Sequence, residues 1–195
     1  MLYDIKDDNS LKKACKVINS GGIIIYPTDT LYGFGVDATN SNAIKSLNNI
    51  KKRKQAYSII VDSKTMLSRY ANLSNINSFE IAQYLLGPYT MIFNKKRSDL
   101  SELICLKLKT IGIRIPNHSF PLNIVRMINK PIVTTSVNIH NQIALNNLNE
   151  IQKQFNDIDI FFDKELNHHS LGSTIIDCTI KPFTVLRKGD GLYKS

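Results

Sequence analysis

Residues 21–40 read GGIIIYPTDTLYGFGVDATN, and their reading decides the kind of fold the chain takes. Ile23, Ile24, Ile25 and Tyr26 make a short apolar, β-branched run of strand character. Pro27 ends it, because proline has no N–H to give to a ladder. Thr28, Asp29 and Thr30 then present short polar groups, and Gly33 and Gly35 let the chain turn tightly or approach a ligand. A proline-terminated strand followed by a local Asx or Thr turn accounts for the same residues without any function.

Working outward, strand-like runs recur at Ser58–Val61, Thr90–Phe93, Ile111–Ile115, Ile132–Thr135, Ile158–Phe162, Ser173–Asp177 and Thr184–Arg187. Helical spacing lies between several of them. Leu11, Ala14, Cys15 and Ile18 share one face, as do Ala43, Ile44, Leu47 and Ile50, and residues 76–86 and 122–128 look similar. Asn9 or Ser10 and Asn40 or Ser41 are expected to cap the first two helices. About eight strands among roughly five helices predict a mixed α/β (α+β) fold on one large twisted sheet covered by helices. With no internal repeat or linker-like tract, residues 1–195 are expected to form a single domain. The polar stretches 95–103 and 167–172 read as loops.

Composition bounds the function. A hydrophobic share of 43% with 21% charged residues belongs to a globular, soluble protein. No run approaches the roughly 18 apolar residues a membrane helix needs, and MLYDIKDDNSLKK at the N-terminus has no apolar secretory core. The expected address is cytoplasmic, with no membrane contact. Cys15, Cys105 and Cys178 form no CxxC pair and are odd in number, which predicts free thiols in a reducing compartment. Lys plus Arg total 25 against 16 Asp plus Glu, a formal net charge of +9. That excess fits an anionic partner, nucleotide phosphates or a nucleic-acid backbone, although the Asn-, Ile- and Lys-rich composition supplies part of it.

Four further segments carry polar groups at informative places. Lys51, Lys52, Arg53 and Lys54 follow a helix and precede a strand; they make either a solvated helix end or a phosphate clamp, with Lys as a mobile point charge and Arg as a fork. TIGIRIP (110–116) sets Arg114 in an apolar strand, either on its solvent face or against a ligand carboxylate. PIVTTSVNIH (131–140) breaks from apolar residues into Thr134, Thr135, Ser136 and Asn138 at a strand end, where α/β sheets place ligand contacts and where local turns also occur. LGSTIIDCTIKPFTVLRKGDG (171–191) opens a strand with Ser173 and Thr174 and closes the next at Arg187 before a glycine turn. No GxxxxGK[ST] or GxGxxG motif is present, and the four histidines show no metal-ligand spacing, so no metal site is assigned.

In order and spacing, PTDTLYGFG, the helix ending Ile50-Lys51-Lys52-Arg53, LLGPYTMIF (85–93), TIGIRIP, TTSVN and STIID…VLRKG resemble the YrdC-like threonylcarbamoyl-AMP synthase family, over about residues 8–191. The resemblance implies an open, twisted, mixed sheet flanked by helices, with a concave basic substrate cavity. It also implies ATP as substrate, with Mg²⁺ on its phosphates, and L-threonine and bicarbonate as the other substrates. Lys51, Arg53, Ser136 and Asn138 match the family's tetrad around the nucleotide phosphates. Tyr57, Thr110, Ala144 and Arg187 fall at nucleotide positions, and Thr30, Asp62, Arg114, Thr134 and Ser173 at threonine positions. Departures stand at Tyr57-Ser58, at Asp62 where the family often has His, and at Ile139-His140-Asn141 where it commonly has Ser-Gly. The family implies a downstream threonylcarbamoyl-transferase complex acting on tRNA, and the positive net charge leaves direct contact with tRNA or double-stranded RNA open. A non-catalytic RNA-binding module is the rival reading; 8% aromatic residues give it few stacking platforms.

Overall fold

The computed structural model describes residues 1–52, 55–74, 76–166 and 169–193. Its first half runs β1 (Leu2–Asp4), α1 (Ser10–Asn19), β2 (Ile24–Tyr26), β3 (Gly33–Gly35), α2 (Ser41–Lys51), β4 (Ser58–Ile60), α3 (Lys64–Tyr70), α4 (Ser78–Ala82) and β5 (Tyr89–Asn94). The second half runs α5 (Glu102–Cys105), β6 (Thr110–Arg114), α6 (Ser119–Ile128), β7 (Ile132–Ser136), α7 (Leu148–Gln154), β8 (Asp159–Phe162), β9 (Thr174–Asp177) and β10 (Thr184–Arg187). The strands form one mixed sheet in the order β1-β8-β2-β3-β7-β4-β6-β5-β9-β10. The sheet combines parallel pairs (β1–β8, β2–β8, β4–β6, β5–β9) with antiparallel ones (β2–β3, β3–β7, β4–β7, β5–β6, β9–β10).

All eight expected strands are present with small boundary differences, and two more join them. β1 is three residues long and only its pairing with β8 makes it a strand. β3 contains the two glycines expected to turn. Instead Gly33 and Gly35 are extended, pairing with Tyr26 and Ile24 on one side, while Gly33 also pairs with Ser136 on the other. The close approach they permit comes from inside the protein. A Cβ on Gly35 would lie 2.6 Å from Cε1 of Tyr26, so the two glycines form a bare ledge on which that fully buried ring rests. The Tyr26 hydroxyl donates to the Val133 carbonyl at 3.3 Å.

Asn40 caps α2 as expected, its side chain accepting from the Asn42 and Ala43 amides. At α1 neither candidate acts that way: Asn9 makes no side-chain cap bond, and the Ser10 hydroxyl donates to the Asp4 carbonyl at 2.6 Å. The helix expected over 76–86 contracts to α4, held by a capping box between Asn77 and Glu80. The stretch 95–103, expected as a loop, ends in the first turn of α5, where buried Ser101 caps.

The alternation of side chains along each strand sorts the sheet into two faces. Val133, Ile59, Ile113, Met91 and Ile176 lie in register across β7, β4, β6, β5 and β9, all fully or nearly fully buried. The rows on either side point to the other face and carry Thr134 beside Ser58, Ile60 beside Arg114, and Thr90 beside Ile175 and Arg187. One face of the sheet is therefore core, and over these strands the other presents polar groups.

Candidate functional site

Those polar rows floor a cavity of about 280 Å³, near the lower end of the roughly 300–1,000 Å³ usual for small-ligand sites. Gly33, Thr134, Thr135 and Ser136 line one side, Ala56, Tyr57 and Ser58 another, and Thr90 and Arg114 the floor. Thr28, Thr30, Leu31 and Tyr32 come from the segment after β2, and Gly172, Ser173, Ile175 and Arg187 close the far wall. Ser58 fits because Gly112 has no side chain: a Cβ there would lie 2.4 Å from its hydroxyl oxygen.

Hydroxyl groups are fixed around this space. Thr28 Oγ1 donates to the Leu31 carbonyl (2.7 Å), accepts from the Thr30 amide (3.1 Å) and lies 3.1 Å from Thr30 Oγ1. Across the cavity Thr90 Oγ1 and Ser173 Oγ are 2.8 Å apart and buried. The far wall is pinned by a close backbone crossing. The Asp190 amide donates to the Gly172 carbonyl (2.8 Å), and a Cβ on Gly189 would lie 2.2 Å from that oxygen.

Two guanidinium groups face the space. Arg114 is 6% exposed; its Nη2 donates to Asp29 Oδ1, and its Nε is buried without an acceptor. Arg187 donates from Nη2 to the Ser173 carbonyl at 2.6 Å and to Ser173 Oγ at 3.2 Å, and from Nε to the same carbonyl at 3.2 Å. Burial pulls both below the ordinary arginine value; the Asp29 carboxylate opposes this at Arg114, and the charge of Arg114 adds to it at Arg187. Among the described residues, Asp29 is the carboxylate paired with Arg114, and none is paired with Arg187. Two cations against one carboxylate favour an anionic guest.

Of the sequence-predicted residues, Thr30, Tyr57, Arg114, Thr134, Ser136, Ser173 and Arg187 line this one cavity. Lys51 and Asn138 stand behind Ser136. Lys51 is fully buried, and its ammonium donates to the Ser136 carbonyl (2.7 Å), the Asn138 carbonyl (3.0 Å) and Asn138 Oδ1 (2.8 Å). Ser136 Oγ also donates to Asn138 Oδ1, at 2.9 Å. Lys51 is thus neither a solvated helix end nor a mobile charge: it is the buried last residue of α2, and its ammonium donates to three protein acceptors. Arg53 lies outside the described residues.

Three candidates sit elsewhere. Thr110 opens β6 four residues before Arg114, about 13 Å away along a strand. Asp62 accepts from the Ser63 hydroxyl at 2.7 Å and faces Arg126 Nε at 3.7 Å, outside the cavity lining. Ala144 is half-buried in the segment that returns to Val137 through the Leu145 amide, and it too is outside the lining. The sequence reading missed Thr28, Tyr32, Ser58 and Thr90 as lining residues. Strand parity would have found Thr90, which lies one residue from an apolar neighbour on each side and so points away from the core.

The cavity, its cations and its hydroxyls can be compared with known proteins. Residues 16–189 match the family Sua5_yciO_yrdC, whose description reads "Telomere recombination". The chain belongs to the Sua5/YciO/YrdC family. A Methanocaldococcus jannaschii member, provisionally named a threonylcarbamoyl-AMP synthase, is 33% identical, with 96% of this chain and 91% of that protein covered. Mouse threonylcarbamoyl-AMP synthase is 27% identical over 94% of this chain and 68% of its own length. The fold matches the crystal structure of P. abyssi Sua5 complexed with L-threonine at a TM-score of 0.88 and 24% identity. That comparison covers 97% of this chain but 57% of the other, so this chain spans little more than half of that relative. The Sua5/YciO/YrdC fold thus places its mixed sheet under the polar cavity described above.

Among the described residues, no helix is long and apolar enough to cross a membrane, and no three His, Cys, Asp or Glu side chains converge on a metal position.

Proposed function

We propose that this chain is an L-threonylcarbamoyladenylate synthase, converting L-threonine, bicarbonate and ATP to threonylcarbamoyl-AMP, pyrophosphate and water. The observation that carries the reading is the pairing of two guanidiniums, that of buried Arg114 and that of the more exposed Arg187, with a ring of fixed hydroxyls in one cavity of a Sua5/YciO/YrdC fold. The names of the mouse and M. jannaschii relatives and the threonine complex of P. abyssi Sua5 support it.

The neutral amine of threonine attacks the carbon of bicarbonate, water leaves, and the resulting carbamate oxygen attacks the α-phosphorus of ATP with pyrophosphate leaving. Two anions meet in that second step, so preorganised positive charge is the main demand on the protein. Arg114 meets the threonine carboxylate as a fork, and Thr30 and Ser173 orient its polar groups. Ser136, in the turn held by Lys51 and Asn138, and Arg187 face the nucleotide, with Arg53 added from the same basic run. Mg²⁺, when bound with the triphosphate, would supply further positive charge to its phosphates. A mixed carbamic–phosphoric anhydride is short-lived in water, so a threonylcarbamoyl transferase acting on tRNA adenosine consumes it. Three buried free cysteines fit a reducing cytoplasm.

Purified protein incubated with ATP, labelled bicarbonate and threonine should release pyrophosphate only when all three are present and yield a labelled adenylate. Salt-sensitive RNA binding without such turnover would overturn the reading in favour of an RNA-binding module. Arg114→Ala should raise the threonine requirement; unchanged threonine dependence would remove Arg114 from the site.

A further inference from the structure

The polar contacts that hold Arg114 lead to a residue with no role so far. Asp29 stands between Thr28 and Thr30, both of which line the cavity, yet Asp29 itself does not. The turn explains why. Thr28 Oγ1 ties the Thr30 amide and the Leu31 carbonyl together on the cavity side, and the Asp29 side chain leaves toward the end of β6. There each of its oxygens has a separate anchor: Oδ1 accepts from Arg114 Nη2, and Oδ2 accepts from the Asn117 amide at 3.0 Å. The carboxylate is 11% exposed. Its position is set from both sides of Arg114, by β6 itself and by the corner that follows it.

We propose that Asp29 is a positioning residue for recognition of the amino-acid carboxylate, acting through Arg114; this rests on the reading of Arg114 as the fork for that carboxylate. As a device for stability the arrangement is poor. A buried Arg–Asp pair is seldom better than apolar packing, and here the buried Arg114 Nε goes without an acceptor. As a device for binding it is effective. Arginine has many rotamers, and a guanidinium held in one of them before the guest arrives loses less freedom on binding. Arg187 lies in the same cavity with no carboxylate partner among the described residues. Without the charge of Asp29, repulsion between the two cations would turn Arg114 out of its place, and the cavity would accept carboxylates with less discrimination.

Asp29→Asn removes the charge and keeps the shape. Expected is a fall of about tenfold in kcat/KM for threonine, carried by KM, with kcat and the KM for ATP changed less than about twofold. In an Arg114→Gln background the same substitution should add less than about twofold, because its route to the substrate has already been cut. Threonine binding by calorimetry should follow the same pattern and does not depend on turnover. Asp29→Glu, which keeps the charge but moves it by one methylene, should lie between wild type and Asp29→Asn, and it carries the test should the asparagine variant unfold. An unchanged threonine KM overturns the proposal. So does an equal penalty in both backgrounds, or a parallel loss in kcat and ATP KM, which would mark Asp29 as a general support of the fold. Absence of threonine-dependent pyrophosphate release by the wild-type protein would instead overturn the proposed reaction, leaving the calorimetric comparison to judge Asp29.

Discussion

At the scale of single residues, burial decides what a charge or a missing side chain is for. Lys51 is a cation with no exposed surface, and its protons go to the turn at 136–138. Its own carbonyl accepts from the His140 amide at 2.9 Å, and its ammonium sits 5.4 Å from the centre of the Phe34 ring. Lys51→Met should cost about 1–3 kcal/mol of folding stability, because buried acceptors are left unmet; urea denaturation measures it, and hydrogen exchange should rise at residues 136–142. Gly35 presents the complementary case. Its φ is not in the left-handed region, so no backbone freedom is at stake; the Tyr26 ring fills the space where a methyl would go. Gly35→Ala should destabilise by about 1–3 kcal/mol through overpacking, and Tyr26→Leu in the same chain should recover part of that loss in thermal melts.

At the scale of elements, α6 depends on an unusual cap. His118 Nδ1 accepts from the Phe120 amide at 3.2 Å, which leaves the proton on Nε2 to be donated to Asp163 Oδ2, also at 3.2 Å. Burial holds this imidazole below the ordinary histidine value, with Asp163 opposing. A lowered folded value means the unfolded chain binds the proton first, so this contribution is present above pH 6.5 or so and is lost as pH falls below it. The wild type should therefore lose stability between pH 7.5 and 5.5 in urea titrations, and His118→Asn, which caps without titrating, should lack that component. The elements also show what sequence could convey. Strands with an apolar row, such as β4, β6 and β7, were legible because parity survives in the residues themselves. β1 and β3 were not, since two glycines or three mixed residues become a strand only through neighbours distant in sequence. The same limit applies to the site. Arg114 and Ser173 could be singled out from polar residues at strand positions, whereas Asp29 looked like a turn residue, its partner being 85 positions away. Thr110, Asp62 and Ala144 were placed by resemblance, and this chain's own packing sets them outside the cavity.

At the scale of the whole molecule, the three thiols belong to the core. Cys15, Cys105 and Cys178 are free and buried, and burial raises all three, Cys178 to about 12 with Asp177 and Glu80 adding to the effect. A raised thiol favours the folded state while the unfolded thiol stays protonated, and that support fades as pH climbs from about 9 toward 12. A disulfide reagent at neutral pH should label the native protein slowly and react with three groups once it is unfolded in urea. Rapid stoichiometric labelling of the folded protein would contradict the burial seen here. The sheet also ties residues near the start of the chain to residues made late, although its first and last strands lie at opposite edges. Residue 2 pairs with residue 160 in β1–β8, and the turn at 188–191 closes the far wall over 172–174. A ribosome releases the chain from the N-terminus onward, so both β1 and the wall carried by Arg187 wait for residues made late. During synthesis, therefore, a half-finished chain carries Arg114 and Thr30 without an enclosure around them. A message cut short before codon 172 would yield a protein with much of the sheet and no chamber in which to run its chemistry.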